Sequence, residues 1–187
     1  MAVTSLDATT ALIIVDLQQG IIDYPFIHPV KDVIKHSRAL LDAFRERGLP
    51  VVLVNVTGFA PGRTERPRRS DALPDGWADL IPELGQQPGD IQVTKRSWGA
   101  FANTDLEAQL KALKVSQVVI TGVATGTGVE ATARQAYEAG FNVTLATDAM
   151  TDASAEAHAY SVNNVFPKLG ESGTTQAILG LLDNREA

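Results

Sequence analysis

The chain has 187 residues, 44% hydrophobic and 20% charged, the proportions of one globular domain with a sizeable core rather than of a disordered segment. A net charge of −6 argues against general nucleic-acid or anionic-membrane binding. The absence of cysteine excludes disulfides, thiolate metal sites and cysteine nucleophiles.

Apolar runs alternate with helical patterns along the chain. Ala11 to Val15 is a short continuous apolar run, as in a strand buried on both faces. Val33, Ile34, Ser37, Leu40, Leu41 and Phe44 then recur at helical spacing, with Gly48 as a stop. Val51 to Val56 reads as a second buried strand. Residues 57–89 are rich in proline, glycine and charge and read as a long irregular excursion. It carries four arginines (63, 66, 68 and 69), either a solvated loop or a lid for an acidic substrate. Ile91 to Thr94 is a short third strand. Thr104 and Glu107 have capping-box spacing before a helix with Leu106, Leu110 and Leu113 as its apolar face. Val118 to Thr121 is a fourth strand, residues 127–139 a helix stopped by Gly140, and Asn142 to Ala146 a fifth strand. A helix is expected over about 154–165, a sixth short strand near Lys168 and Leu169, and a last helix over Thr174 to Leu182. Such alternation implies a parallel α/β sheet covered by helices on both faces, with ligands bound beyond the carboxyl ends of the strands. No apolar run reaches membrane-spanning length and no signal-like segment opens the sequence, so a cytoplasmic protein is the expectation.

Chemistry-bearing residues stand at those ends. Asp16 follows the first strand; desolvation there would raise its pKa and make it a proton donor or acceptor, unless it merely caps a turn. Lys95 follows the third strand and could hold Asp16 ionised or stabilise an anion. Trp98 and Phe101 could wall a pocket for a flat or cyclic substrate, or be ordinary core or interface aromatics. After the fourth strand, residues 122–128 form a glycine-rich turn into a helix, where amide donors and positive potential favour anions. The same turn also reads as a dinucleotide fingerprint. Gly126, Gly128 and Ala131 match G-x-G-x-x-A, and Asp148 stands twenty residues beyond Gly128. Against it, Gly122 to Thr125 intervene between strand and fingerprint, and three strands come first. His28, His36 and His158 show no metal-ligand spacing, and no G-x-S-x-G elbow anchors a serine triad.

Taken together, Asp16, Lys95, the Gly122-Val123-Ala124-Thr125 turn and the acidic Ala146-to-Met150 segment resemble the isochorismatase-like hydrolase superfamily. The resemblance implies a three-layer sandwich around a Rossmann-like six-stranded parallel sheet over residues 1–187. It further implies a cis peptide between Val123 and Ala124, and a homo-oligomer. Most members use an aspartate, a lysine and a cysteine to hydrolyse amides. Here Gly128 occupies the cysteine position. The aspartate–histidine metal pattern of nicotinamidases is absent after the second strand, so neither metal nor cofactor is implied. A cysteine-independent branch cleaves a vinyl ether and releases pyruvate. On that model Asp16 is the acid, Lys95 orients it, and amides near Gly128 bind oxygen or water in the space left by the missing side chain. Thr57, Arg63 and Trp98, with Val123, Ala124 and Thr125 of the turn, are the expected contacts of a small-molecule substrate. The alternative is a non-catalytic binding protein that keeps the fold and pocket.

Overall fold

A computed structural model of the chain describes residues 2–65 and 73–184. Its elements run β1 (Thr10–Val15), α1 (Val30–Glu46), β2 (Val51–Val56), β3 (Ile91–Lys95), α2 (Leu106–Ala112), β4 (Gln117–Val123), α3 (Glu130–Glu138), β5 (Asn142–Thr151), α4 (Ala155–Tyr160), α5 (Phe166–Leu169), β6 (Glu171–Gly173) and α6 (Thr175–Asp183). The strands form one six-stranded sheet in the order β3-β2-β1-β4-β5-β6, with every neighbouring pair parallel.

β1 and β4 are buried at every residue, which is why they read as unbroken apolar runs rather than alternating ones. Their alternate side chains feed two cores. Ala11, Ile13 and Val15 pack on one face with Leu106 and Leu110 of α2, Ala133 and Ala136 of α3 and Phe166 of α5. Leu12 and Ile14 pack on the other with Leu40, Leu41 and Phe44 of α1 and Ile178 and Leu182 of α6. Helices therefore cover both faces, giving the three-layer α/β sandwich.

Several boundaries differ from the sequence reading. β4 extends to Val123 and β5 to Thr151, the latter through a register shift between Ile120 and Gly122 of its partner. Lys168 and Leu169 end the short α5, and β6 begins only at Glu171. The capping box does not form. The Thr104 hydroxyl donates to the Ala100 carbonyl (2.6 Å) and accepts from the Leu106 amide (3.4 Å), while Glu107 pairs with Lys111. Leu113 lies past the end of α2 and is half exposed, so Leu106 and Leu110 alone carry that face.

The strand order places the switch point between β1 and β4, because chain progress runs outward in opposite directions from that pair. A crevice beyond their carboxyl ends is the place such sheets bind ligands. The two strands come very close there. Val15 is in register with Gly122, whose φ is +108°, and a Cβ on Gly122 would run into the Val15 carbonyl oxygen. Only glycine fits both the conformation and the contact.

Candidate functional site at the carboxyl ends of the strands

Asp16 is the first residue past β1 and takes a left-handed conformation, φ 53°. A non-glycine residue holds that conformation only when its surroundings fix it. Its amide donates to Val54 O (2.9 Å) and its carbonyl accepts from the Gln18 amide (2.9 Å). Gln18 is itself fully buried, and its amide group bonds both the N–H and the carbonyl of Val56 at the end of β2. The turn that carries Asp16 is thus tied to the neighbouring strand on both sides.

Lys95 closes β3 and lies across the end of β2, the strand between it and β1. Its ammonium donates to Asp16 Oδ2 at 2.7 Å and to Ser97 O at 3.1 Å. The pair is dry: Lys95 is 2% and Asp16 5% exposed. Two effects oppose each other at the Asp16 carboxyl. Burial, the larger, disfavours the carboxylate and pushes its pKa up to about 6; the Lys95 cation pulls in the opposite direction and only partly compensates. Asp16 Oδ1 is buried with no hydrogen-bond partner among the described residues.

The third component is the turn after β4. The Val123–Ala124 peptide is cis, and residues 125–129 form a π-type turn that leads into α3. A Cβ on Gly128 would lie 3.1 Å from Asp16 Oδ2, from Val123 O and from Val15 Cγ1. Asp16, Lys95 and Gly128 therefore meet, but the open space expected at the glycine is narrower than a side chain. Three amides of the turn have partners within the protein. Thr127 and Val129 both donate to Ala124 O (3.1 Å each), and Gly126 donates to Asp152 Oδ2 (2.7 Å). The amides of Thr127 and Val129 are committed inside the turn, and that of Gly126 to Asp152 beyond β5.

The remaining expected contacts divide. The Thr57 amide donates to Lys95 O (3.0 Å), which puts this threonine beside the lysine. Trp98 follows on the next loop and is 63% exposed. Ala124 is half buried and Val123 fully buried. The Thr125 side chain is fully buried, with its hydroxyl 2.9 Å from His158 Nδ1. Arg63 lies exposed on the excursion beyond β2; Arg66, Arg68 and Arg69 fall outside the described residues. Phe101 packs on Phe141, ring centres 5.9 Å apart, as a core aromatic. The dinucleotide reading loses its acid, because Asp148 accepts from the Thr175 amide (2.7 Å) and hydroxyl (2.9 Å) at the start of α6.

Sequence reasoning missed the residues that brace the site. Thr132 donates to Gly128 O (2.7 Å) and accepts from the Ala100 amide (3.1 Å), joining the turn to the loop after β3. Its place one helical turn after Gly128 was a usable signal. Asp152, His158 and His28 had none, since only the fold brings them to the turn.

The Isochorismatase domain model matches residues 10–177, covering the β1 site, the β3 lysine and the β4 turn. The chain belongs to the isochorismatase family. It is 40% identical over 178 residues to the isochorismatase family protein YwoC of Bacillus subtilis, covering 91% of this chain and 92% of that one. It is 30% identical over 162 residues to Nicotinamidase 3 of Arabidopsis thaliana, covering 83% and 79% of the two chains. Among solved structures, an isochorismatase family protein from Burkholderia thailandensis superposes with a TM-score of 0.91 at 38% identity, covering 96% of this chain and 98% of the other. The family is one of hydrolases, and this chain is a member of it. Among the described residues no helix is long and apolar enough to cross a membrane.

Proposed function

We propose that the chain hydrolyses a small molecule without a cysteine nucleophile, with Asp16 as general acid and base and Lys95 as its electrostatic partner. The observation that carries this reading is the Asp16 carboxyl. It is dry, poised near 6, held by Lys95 through one oxygen and unpartnered at the other. A group whose pKa lies near the working pH both gives and takes a proton efficiently.

The reaction such a group can run alone is hydrolysis of a vinyl ether. Protonated Asp16 delivers its proton to the terminal methylene carbon, leaving an oxocarbenium ion. Water adds to that ion and returns a proton to Asp16, and the resulting hemiketal collapses to an alcohol and a keto acid. Lys95 holds the carboxyl in place and attracts a substrate carboxylate. No covalent intermediate on the protein is needed, which agrees with glycine at position 128 and with the absence of cysteine. Thr57, Trp98 and the Val123–Ala124 segment are the proposed substrate contacts.

The test incubates purified protein with isochorismate and follows pyruvate, alongside Asp16→Asn. Equal rates for the two proteins would remove Asp16 from the chemistry. A second reading, a non-catalytic small-molecule-binding protein, draws support from the internal commitment of the Gly126, Thr127 and Val129 amides, which leaves the turn with less to offer an anionic intermediate. Ligands bound unchanged, with no turnover across a metabolite panel, would favour it. We also infer a homo-oligomer, the state that the family resemblance implies. Light scattering on the purified chain tests this.

A further inference from the structure

The turn at 124–129 has two faces. Gly128 looks toward Asp16. Gly126 looks the other way: a Cβ there would lie 3.2 Å from Ala157 Cβ, 3.4 Å from Asp152 Oδ2 and 3.5 Å from Ser161 Oγ. That rear face is held by a polar cluster outside the site described above. Asp152, buried at the end of β5, accepts from the Gly126 amide through Oδ2 and from the Ser154 amide (3.0 Å) through Oδ1. Its carbonyl accepts from Ile27 N (2.9 Å), which draws in the segment between β1 and α1. His158, on α4, meets the Thr125 hydroxyl at 2.9 Å. His28 lies edge-on to His158, ring centres 4.9 Å apart, with its own Nδ1 3.1 Å from the Thr151 hydroxyl.

We propose that His158, acting through Thr125, and Asp152, acting through Gly126, are positioning residues that press the glycine turn onto the Asp16 carboxyl and keep it dry. The inference rests on the reading of Asp16 as the acid. Its physical basis is that three atoms already crowd the Cβ direction of Gly128 at 3.1 Å, one of them Asp16 Oδ2. Any retreat of the turn widens that narrow gap beside Oδ2 and lets water approach the carboxyl, whose Oδ1 has no partner among the described residues. Water at a buried carboxyl stabilises the charged form and removes the main cause of its raised pKa.

The cluster favours a neutral His158. Burial lowers its pKa first, and the neighbouring His28 lowers it further, while Asp152 works in the opposite direction. A further charged group near this region is Glu130, which opens α3 and is occupied by Arg134 (2.9 Å) and the Ser161 hydroxyl (2.6 Å). A neutral imidazole bonded to a buried hydroxyl is a fixed strut rather than a titrating one above neutral pH.

The experiment titrates the Asp16 side-chain carboxyl by 13C NMR in the intact protein, with Asp16→Asn identifying the resonance. It compares wild type, His158→Phe, His158→Gln and Thr125→Val. Thr125→Val keeps the shape and loses only the hydroxyl, so it serves if His158→Phe fails to fold. The expected result is a wild-type midpoint near 6. His158→Phe and Thr125→Val should each move it down by about one unit, toward the ordinary carboxylate range. His158→Gln, which can still bond the Thr125 hydroxyl, should restore it. If Phe and Val lower the melting temperature yet leave the Asp16 midpoint where wild type has it, the two residues are merely structural and the proposal falls. The midpoint is read without substrate, so a failure to release pyruvate would count against the acid reading alone.

Discussion

The sheet carries an ion pair at each end, one partly and one fully buried, and the two are built differently. At the amino end of β3, Asp90 meets Arg45 of α1 through both carboxylate oxygens, at 3.1 and 2.5 Å, and also accepts from the Gln87 amide at 2.8 Å. The guanidinium has a further acceptor in Leu84 O at 3.3 Å. At the carboxyl end, Lys95 meets a single oxygen of Asp16, and the other has no partner among the described residues. A fork-on-fork pair with every oxygen bonded is a structural clamp. A point-charge pair with an orphan oxygen in a dry site keeps its carboxyl ready to change protonation state.

Breaking each pair should separate those roles. Asp16→Asn should lower pyruvate release from isochorismate by about 10²–10⁴-fold, the usual worth of a general acid. Asp90→Asn should leave that rate near wild type while costing about 3 kcal/mol of stability, since it strands a partly buried arginine. Chemical denaturation read beside the activity assay checks both halves. If Asp90→Asn abolished turnover while the protein remained folded, the division of roles would be wrong.

A pH series sharpens the contrast. The folded Asp16 pKa, about 6, lies above its ordinary value of 3.8, so the folded state holds this proton more tightly than the unfolded chain. That contribution is fully present below 3.8 and is lost as pH rises through 6. At 1.36 kcal/mol per unit the loss is about 3 kcal/mol. Wild type should therefore lose stability relative to Asp16→Asn between pH 4 and 7, with the activity of wild type falling over the upper part of the same range. Parallel stability curves for the two proteins would contradict the raised pKa.

The smallest expected effect concerns the glycine. Gly128→Ala places a methyl group 3.1 Å from Asp16 Oδ2, Val123 O and Val15 Cγ1, so it should cost about 1–2 kcal/mol through overpacking. A substitution that proved neutral or stabilising would mean the turn has slack, and the tight fit between turn and carboxyl would be abandoned. No comparable sensitivity is expected at Gly48, where a Cβ meets nothing within 4 Å, beyond the strain of its φ of +63°.

Much of this was legible in the residues. Unbroken apolar runs marked β1, β2 and β4 because strands buried on both faces need no polar alternation. Asp16 stood out because a charged residue directly after such a run must sit at a strand mouth, and Lys95 because it ends the short alternating run of β3. The capping box at Thr104 misled, since the Thr104 hydroxyl found the Ala100 carbonyl, a partner that only the bent loop supplies. Asp148 likewise matched a spacing but is committed to α6.

By itself the sequence determined the α/β layering, the strand mouths and the loss of thiol chemistry, because periodicity, burial and residue type are local properties. Tertiary structure alone decided that Lys95 reaches across β2 to one Asp16 oxygen, that the Thr127 and Val129 amides bond within the turn, and that Asp152, His158 and His28 gather behind Gly126. Those facts depend on which strands are neighbours and how closely their ends approach. Desolvation, the force that tunes Asp16, is set by the whole surrounding packing and by no residue next to it in the chain.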